Sequence, residues 1–454
     1  MKTSHIIIAS AALFVVGVQL SAQTVPFERD GEPDPKYEVP EELNLNYALS
    51  FALDNNHAIR QARERIRERA GIVLEVRSLQ IPNVTMGGSV SGNSTDISNS
   101  ILAQRRDWGI SVQATQALYA GGGIQASGRS ASLAREAAEL ELRGVINEQL
   151  LAVRSMFYGV LLAKQLVTVQ EENIKLLEEQ LKDAQNRFEA GSISNFEVLR
   201  ARVALANGQP DLITARNNYR LAIEEVRQVL GFSNVTGNNL AKLPVFVGSL
   251  KVDKHEDVDL RNALNSAHSN RPELQRLAKL EAAGEEQIVV SRSGALPQIS
   301  AFGRYDWVRG GPSSGWNDKR DGWTAGLQAQ WSVFDGRASQ GKVAQAKSRL
   351  MQTKLAVEES VLAVDVEVRR SHSSLTEAWE LVSASGKVVE QADEALRLAK
   401  VRYSAGTATQ LDVLTSQVEL TRARLNQLQA YYRYQVAVAA LRKAMGEADP
   451  YINN

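Results

Sequence analysis

The sequence contains no cysteine among its 454 residues. This absence excludes disulfide bonds, thiolate metal ligands, a thiol nucleophile and the lipidated N-terminal cysteine of bacterial lipoproteins. No charge of one sign dominates, because 52 basic residues balance 52 acidic ones. Without a basic excess, the composition does not favour binding to nucleic acid.

Motifs for catalysis and for metal or cofactor binding are also scarce. The five histidines are scattered, and none belongs to a His-Glu-x-x-His pair. Gly121-Gly122-Gly123 lacks the Lys-Ser/Thr that grips a phosphate, so it is interpreted as a flexible junction between a strand and a helix. The sequence therefore predicts no enzyme activity, no metal site and no cofactor.

Long apolar runs are missing beyond the N-terminus. Lys2 and the apolar segment Ile6–Val18, followed by small residues near Ala22, are typical of a signal peptide over 1–22. No later segment has the roughly 18 uninterrupted apolar residues of a membrane helix. We therefore expect an exported chain without a membrane helix. An extended, proline-containing arm over 23–43 is expected to follow the signal peptide.

Two halves of the chain repeat each other in register. Pro82 is matched by Pro297, Trp108 by Trp323 and Gly191 by Gly406. The period of roughly 215 residues is much longer than the roughly 20–50 residues of a solenoid repeat. The chain is therefore interpreted as an internal duplication. Its predicted parts are repeats over 44–231 and 260–446, a linker over 232–259 and a short tail over 447–454.

Each repeat begins with one predicted helix, from about Asn44 to Leu79 and from about Leu260 to Ser293. Each helix ends before a proline, because the residue preceding proline is pushed out of the helical conformation. Apolar and polar residues then alternate with the period of two that is typical of strands. This pattern predicts β-hairpins over 82–119 and 297–334.

Heptad spacing of apolar residues predicts long helices over 120–188 and 335–403. At about 1.5 Å per residue, a helix of about 65 residues is roughly 100 Å long, which no compact domain accommodates. After a turn, returning helices are predicted over 194–230 and 409–445. Pro210 lies inside the first returning helix and predicts a kink that the second half lacks.

The four predicted strands have one apolar face and are too few to close a barrel alone. Open sheet edges in lipid leave backbone groups unpaired, so a membrane sheet needs strands from further copies. Three copies supply twelve strands, an even number within the known range of barrels. A half-buried sheet in a soluble protein is the alternative interpretation. Aromatic residues expected to form an interfacial girdle are Trp108, Tyr305, Trp307, Trp323 and Trp331.

Three motifs resemble the TolC-type outer-membrane efflux proteins: Leu296-Pro297-Gln298-Ile299 before a strand, Trp331-Ser-Val-Phe334-Asp-Gly336 at its end, and Arg402-Tyr403-x-x-Gly406 with Asp412-Val413-Leu414 at the turn. The turn motif occurs again in the first half, at 187–199. The resemblance covers about Asn44 to Gly446. It implies a mainly α fold with a membrane β-barrel portion: a homotrimer whose 12-strand β-barrel continues into a 12-helix periplasmic α-barrel of coiled-coil hairpins.

The resemblance also implies a function and partners. The protein is expected to form the exit duct of a tripartite efflux or type I secretion system in the outer membrane of a Gram-negative bacterium. A periplasmic adaptor, an inner-membrane transporter and outer-membrane lipid are the implied partners. The duct itself performs no reaction. The alternative is an exported coiled-coil adhesin or periplasmic scaffold without a pore.

The predicted tip carries the candidate gate. Asp412 matches the family position where an acidic ring narrows the periplasmic entrance, and Glu197 is its counterpart. Three carboxylates near one axis would repel one another and raise their pKa values. The alternative is that both acids stabilise helix N-termini, where Ser194 with Glu197 fits the capping box and Thr409 with Asp412 is a shorter variant.

Two departures from the family pattern weaken this gate. Thr415 and Arg200 occupy places where members often carry a second acid, and Ala408 replaces a gate-locking arginine of some members. Candidates for contact with the adaptor are Gly191, Leu199, Gly406 and Leu414. Their alternative role is structural, with the glycines forming the turns and the leucines the core of each hairpin.

Overall fold

The computed structural model describes residues 41–92, 106–232, 235–236, 239–240, 244–252, 254–310 and 316–447. The predicted signal peptide, the arm up to residue 40 and the tail from residue 448 lie outside the described residues. The chain divides into the units Met1–Glu41 and Glu42–Asn454, and every element below belongs to the second unit.

Each half contains two short helices, a strand pair and two long helices. The first half comprises α1 (Leu45–Asn55), α2 (His57–Ser78), β2 (Asn83–Gly92), β3 (Arg106–Ala120), α3 (Gly123–Glu189) and α4 (Asn195–Leu230). The second comprises α5 (Leu260–Asn270), α6 (Pro272–Ser293), β7 (Gln298–Arg309), β8 (Lys319–Gln330), α7 (Ala338–Ser404) and α8 (Gln410–Ala444). Short strands are β1 (Glu42–Leu43), β4 (Val235–Thr236), β5 (Asn239–Leu240) and β6 (Val245–Phe246). The predicted order of elements is present, with bounds shifted by a few residues.

The single helix predicted at the start of each half is two helices in the structure. Asn56 has an extended backbone, with φ −60° and ψ 126°, and its side chain accepts from the N–H groups of Ala58 and Ile59. In the second half, Arg271 is extended in the same way, with φ −64° and ψ 121°, and Pro272 starts the next helix. Each interruption has a local signal, because Asn caps helix N-termini and Pro favours the first helical position, and at Asn56 a contact with a distant residue adds to it.

The four long strands form one antiparallel sheet in the order β2-β3-β7-β8. Val112 pairs with Tyr305, and Tyr305 pairs with Trp323, so these three side chains share a face. Following the alternation through the register places most apolar residues of the four strands on this face, while Phe302 and Val308 of β7 lie on the other. Strands β2 and β8 are the edges. The second hairpin was predicted to reach residue 334, but β8 ends at Gln330, which leaves Trp331 and Phe334 beyond the strand.

The two long helices are α3 and α7, each of 67 residues. At about 1.5 Å per residue, each is roughly 100 Å long, as predicted. The helix α4 runs without interruption from Asn195 to Leu230 with Pro210 in its interior, and the local kink stays a prediction. Beside it, a Cβ on Gly208 would lie 3.1 Å from the side chains of Ile174 and Leu177, so α4 approaches α3 closely there.

Two large cores lie where the short helices pack on the long ones. One contains Phe157 of α3 with Leu49 of α1 and Phe246 of β6, and the other contains Val368 of α7 with Tyr434 of α8. By composition, α3 is the one helix of the described chain apolar enough to cross a membrane, with an 18-residue window of mean hydropathy 1.4. A core helix meets the same criterion, and α3 contributes Val153 and Phe157 to the first core.

Candidate functional site

The tip of each long hairpin is a short turn that ends in a left-handed glycine. Gly191 has φ +72° and Gly406 has φ +73°, a conformation that costs glycine little. The N–H of Ser192 donates to the Arg187 carbonyl, and that of Thr407 donates to the Arg402 carbonyl, both at 2.9 Å. These glycines therefore have the turn role that the sequence analysis considered, in the predicted C′ positions.

One of the two predicted capping boxes forms, at Thr409 and Asp412, and the other does not. Thr409 and Asp412 form the complete box: the Thr409 N–H donates to Asp412 Oδ2 at 2.7 Å, and the Asp412 N–H donates to Thr409 Oγ1 at 3.3 Å. Ser194 makes no capping hydrogen bond with its side chain. The prediction of a box at Ser194 and Glu197 is therefore wrong, because the Glu197 carboxylate is engaged elsewhere.

The Asp412 carboxylate is exposed, and its charge is stabilised by the cap. The hydrogen bond from the Thr409 backbone N–H, with smaller contributions from the Thr409 hydroxyl and Arg402, lowers the pKa of Asp412. Thr415, one turn further on, is also exposed. In a single copy, Asp412 is thus an ionised carboxylate at the end of a hairpin, and the raised pKa predicted for a ring of three concerns the assembled protein.

Glu197 forms a contact between the two hairpin tips. Its carboxylate lies 3.1 Å from Arg200 Nη1. With the Gln410 amide turned so that its NH₂ faces Glu197, that group donates to Glu197 Oε2 at 2.8 Å and to the Glu197 carbonyl at 3.0 Å. The Arg200 guanidinium also lies 4.7 Å from the centre of the Phe196 ring. Glu197 and Arg200 therefore neutralise each other, while Asp412 keeps its charge toward solvent.

A second contact links the hairpins just before the turns. The guanidinium of Arg187, at the end of α3, lies 4.6 Å from the centre of the Tyr403 ring at the end of α7. Burial is the main cause that raises the pKa of Tyr403, with Arg187 acting in the opposite direction. Tyr403 therefore stays a neutral phenol at neutral pH.

Further from the tip, a buried polar group links α8 to α3, and the sequence analysis missed it. Gln417 is 1% exposed. Its Nε2 donates to Asn173 Oδ1 at 2.9 Å, and its Oε1 accepts from Gln180 Nε2 at 2.6 Å. Thr421 Oγ1 donates to Asn173 Oδ1 at 3.3 Å. The sequence does contain a pattern that predicts this burial, because Gln417 lies between Val413 and Leu420 at the spacing of core residues.

The two leucines predicted to contact an adaptor have different surroundings. Leu414 is 8% exposed and packs against Ile174 and Leu177 of α3. Leu199, its counterpart, is 47% exposed. Leu414 therefore lies in the seam between the two hairpins, packed on the other hairpin rather than in the core of its own, and its contact with an adaptor stays a prediction. Leu199 is free to contact another chain.

The five aromatic residues of the predicted girdle lie at two levels of the sheet. Tyr305 and Trp307 have ring centres 4.5 Å apart and lie near the hairpin loops, as does Trp108, whose Nε1 donates to the Trp316 carbonyl. Trp323 is 74% exposed beside Tyr305. Trp331 lies at the helical end of the sheet and donates from Nε1 to the Ala295 carbonyl. Four of the five thus lie toward the hairpin loops and one at the helical end, and their place at a membrane interface stays a prediction.

Among the described residues, no group of three or more His, Cys, Asp or Glu side chains could hold a metal ion.

The arrangement is an amphipathic open sheet on long helical hairpins, a combination that defines a class of outer-membrane channel subunits. The profile of the outer membrane efflux protein family matches residues 48–232 and again 263–447. The chain therefore belongs to this family, which is made up of outer-membrane channels rather than enzymes.

Individual proteins are similar over most of their length. CyaE of Bordetella pertussis is 24% identical over 415 residues, which cover 90% of this chain and 85% of CyaE. The outer membrane protein TolC of Escherichia coli is 24% identical over 387 residues, covering 82% of this chain and 76% of TolC. The crystal structure of the Campylobacter jejuni CmeC outer membrane channel superposes with a TM-score of 0.77 at 16% identity, covering 90% of this chain and 88% of CmeC. The fold is thus that of an outer-membrane channel that extends into the periplasm.

Proposed function

We propose that three copies of this chain form a closed 12-strand barrel in the outer membrane, continued by a 12-helix tunnel in the periplasm. The duct is a passive exit path for an efflux or type I secretion system. The observation that carries this proposal is the four-stranded sheet with an apolar face and two unpaired edges. In lipid such edges must be paired, and the β8 edge of one copy and the β2 edge of the next are the available partners.

The helices offer an equivalent junction between copies. Within one copy, α8 packs on α3 through Leu414 and Gln417. The corresponding helices of the two halves, α4 and α7, leave their equivalent surfaces uncovered. Apolar residues exposed on these two helices include Phe196, Val203, Ile213 and Leu221 on α4, and Met351, Leu355, Leu362, Val366 and Val388 on α7. In the proposed trimer, α4 of one copy packs on α7 of its neighbour.

The proposed gate lies at the tip. Three Asp412 carboxylates converge at the periplasmic entrance and attract cations, while the same side chains cap α8. The absence of an arginine at Ala408 and of an acid at Thr415 leaves this ring as a single layer. Leu199 and the turns at Gly191 and Gly406 are the proposed contacts of a periplasmic adaptor, which connects the duct to an inner-membrane transporter.

Planar-bilayer recording of the purified full-length protein, with gel mobility before and after boiling, tests the proposal. We expect trimers that dissociate only on heating and discrete conductance steps. An exported adhesin or periplasmic scaffold shows neither property. A protein that migrates as a monomer before boiling and shows no conductance would overturn the proposed channel.

A further inference from the structure

A groove of about 360 Å³ lies between α6 and α7, directly below the sheet. Its floor is formed by Ala295, Val343 and Ala344, and its polar ends are Arg292 and Lys347. Neither cation forms an ion pair with any residue that the structure describes, and no acid lines the groove. The site therefore combines an apolar floor with two uncompensated positive charges.

The groove continues the lipid-facing side of the sheet. Trp331 lies directly after β8, two residues beyond Ala329 of the apolar face, and its Nε1 donates to the carbonyl of Ala295 on the groove floor. Val333 and Phe334 are exposed next to it. The groove is thus at the level where the apolar face gives way to the periplasm. In the proposed membrane position of the sheet, the phosphate groups of the periplasmic leaflet lie at this level.

The other half of the chain provides an internal comparison. A corresponding groove between α2 and α3 has Arg77 at the place of Arg292, but Glu136 and Glu286 also line it. Arg129 donates from Nε and Nη2 to the two Glu286 carboxylate oxygens at 2.7 and 2.8 Å, so its charge is satisfied. Ala344 stands where the first half has Arg129. The charges in the first groove therefore cancel, whereas the second groove carries two positive charges.

The proposed trimer does not supply the missing acid. In that assembly, α2 of the next copy packs beside α7 as α6 packs beside α3. The position equivalent to Glu286 is then Gly71, which carries no charge. In the proposed trimer the groove therefore lacks the carboxylate that Glu286 supplies to its counterpart in the first half.

We infer that this groove binds an anionic glycerophospholipid of the periplasmic leaflet. One acyl chain lies along Ala295 and Val343, and the headgroup phosphate lies between Arg292 and Lys347. This inference rests on the proposed membrane position of the sheet. It assigns three lipid sites to the trimer, one per copy, at the junction of barrel and tunnel.

Native mass spectrometry of the full-length protein, titrated with phosphatidylglycerol, tests this inference. The double variant Arg292→Ala/Lys347→Ala is compared with Lys342→Ala/Arg349→Ala, which removes the same charge from exposed positions outside the groove. A basic residue near an anionic lipid surface contributes about fivefold in affinity, so we expect about thirtyfold weaker binding for the groove variant. The control variant is expected to bind as the unmodified protein does.

Equal affinity of the groove variant and the unmodified protein would overturn the lipid site. Equal weakening in both variants would overturn it too, because it would reflect total charge alone. Binding of zwitterionic phosphatidylethanolamine as tightly as phosphatidylglycerol contradicts the role of the two cations. Failure of the channel proposal is separate, since it appears as absent trimers and absent conductance in all three proteins.

Discussion

Arg337 and Gly122 hold equivalent turns at the starts of the two long helices. Both have left-handed backbones, with φ 72° and 78°, and Arg337 is the one described non-glycine residue with positive φ. The strain at Arg337 is offset nearby, because Asp335 accepts from the Ser339 N–H at 2.8 Å. Hydrogen bonds from Ser339, chiefly its hydroxyl, lower the pKa of Asp335. In the first half, a glycine adopts this turn without strain. In the second half, a hydrogen bond to a side chain stabilises the same turn at Arg337.

Arg337→Gly is expected to stabilise the folded protein by somewhat less than about 1 kcal/mol. Relief of left-handed strain contributes about 1–2 kcal/mol, and the greater freedom of glycine in the unfolded chain removes about 0.4–1 kcal/mol. The measurement is the temperature at which the trimer denatures in detergent. Gly122→Ala is the matched control and is expected to lower that temperature, since its Cβ has open space and meets strain alone. A lower denaturation temperature for Arg337→Gly contradicts the assignment of strain.

Asp412→Asn separates the two roles of the tip carboxylate. The amide oxygen still accepts from the Thr409 N–H, so the cap and the trimer are retained, while the negative charge is lost. We expect lower cation selectivity in bilayer recordings, and a loss of less than about 1 kcal/mol of stability because the charge no longer interacts with the helix N-terminus. The double variant Glu197→Gln/Arg200→Gln is the control, because it removes a pair of charges that already neutralise each other. If Asp412→Asn leaves the cation selectivity unchanged, the carboxylate caps the helix and has no role in the gate.

The pH dependence of this cap follows from the direction of the shift. The Thr409 N–H lowers the pKa of Asp412 in the folded protein. The cap therefore contributes fully above the ordinary aspartate pKa of about 3.9 and is lost as pH falls through the lowered value. Hydrogen exchange at the Thr409 and Asp412 amides is expected to stay constant between pH 8 and 5, after correction for intrinsic rates, and protection is lost only in stronger acid. Loss of protection near pH 6 contradicts this assignment.

At the scale of elements, the hairpins of one copy are joined by a polar seam. Gln417 of α8 and Asn173 of α3 form its centre. At the equivalent places of the opposite surfaces stand Arg202 on α4 and Val388 on α7, so the junction between copies has different chemistry. A polar pair fixes the register of two packed helices more strictly than apolar contact does.

Gln417→Leu alone is expected to destabilise the tip by about 1–3 kcal/mol, because it leaves Gln180 Nε2 without its acceptor and Asn173 Oδ1 with Thr421 as its remaining donor. Adding Asn173→Val removes the second polar group, and we expect the double variant to recover most of the loss. A double-mutant cycle on the denaturation of the trimer gives the coupling. Additive effects of the two substitutions would show that the pair does not join the hairpins.

Periodicity in the sequence was sufficient to predict the strands, the long helices and the turns between them. Local interruptions were missed where tertiary contacts decide. Asn56 ends α1 because its Nδ2 also donates to the Val229 carbonyl at 2.7 Å, a partner that is 173 positions away and not visible locally. The contact between Glu197 and Gln410 likewise depends on how two hairpins meet. The gate and adaptor residues could be placed from the sequence, but their roles depend on copies outside one chain.

At the scale of the whole molecule, the apolar face of the sheet determines the environment. Leu327 lies on that face and is 71% exposed, whereas Gln328 points to the opposite face. Leu327→Arg is expected to cost about 2–4 kcal/mol in a lipid-facing position near the midplane. We expect loss of heat-modifiable trimers from outer-membrane extracts. Gln328→Arg, on the same strand, is the control and is expected to assemble normally. Equal trimer yields contradict the assignment of the faces.

The bare edges of β2 and β8 also have a consequence for a subunit on its way to the membrane. A lone copy displays two rows of unsatisfied backbone donors and acceptors, which any extended peptide can cap. During biogenesis, closure of the trimeric barrel therefore competes with pairing of these edges to other extended segments. A defective subunit that retains one intact edge strand can still pair with two normal subunits, but the ring of three cannot close. Co-expression of such a variant is therefore expected to have a dominant-negative effect on assembly of the normal protein.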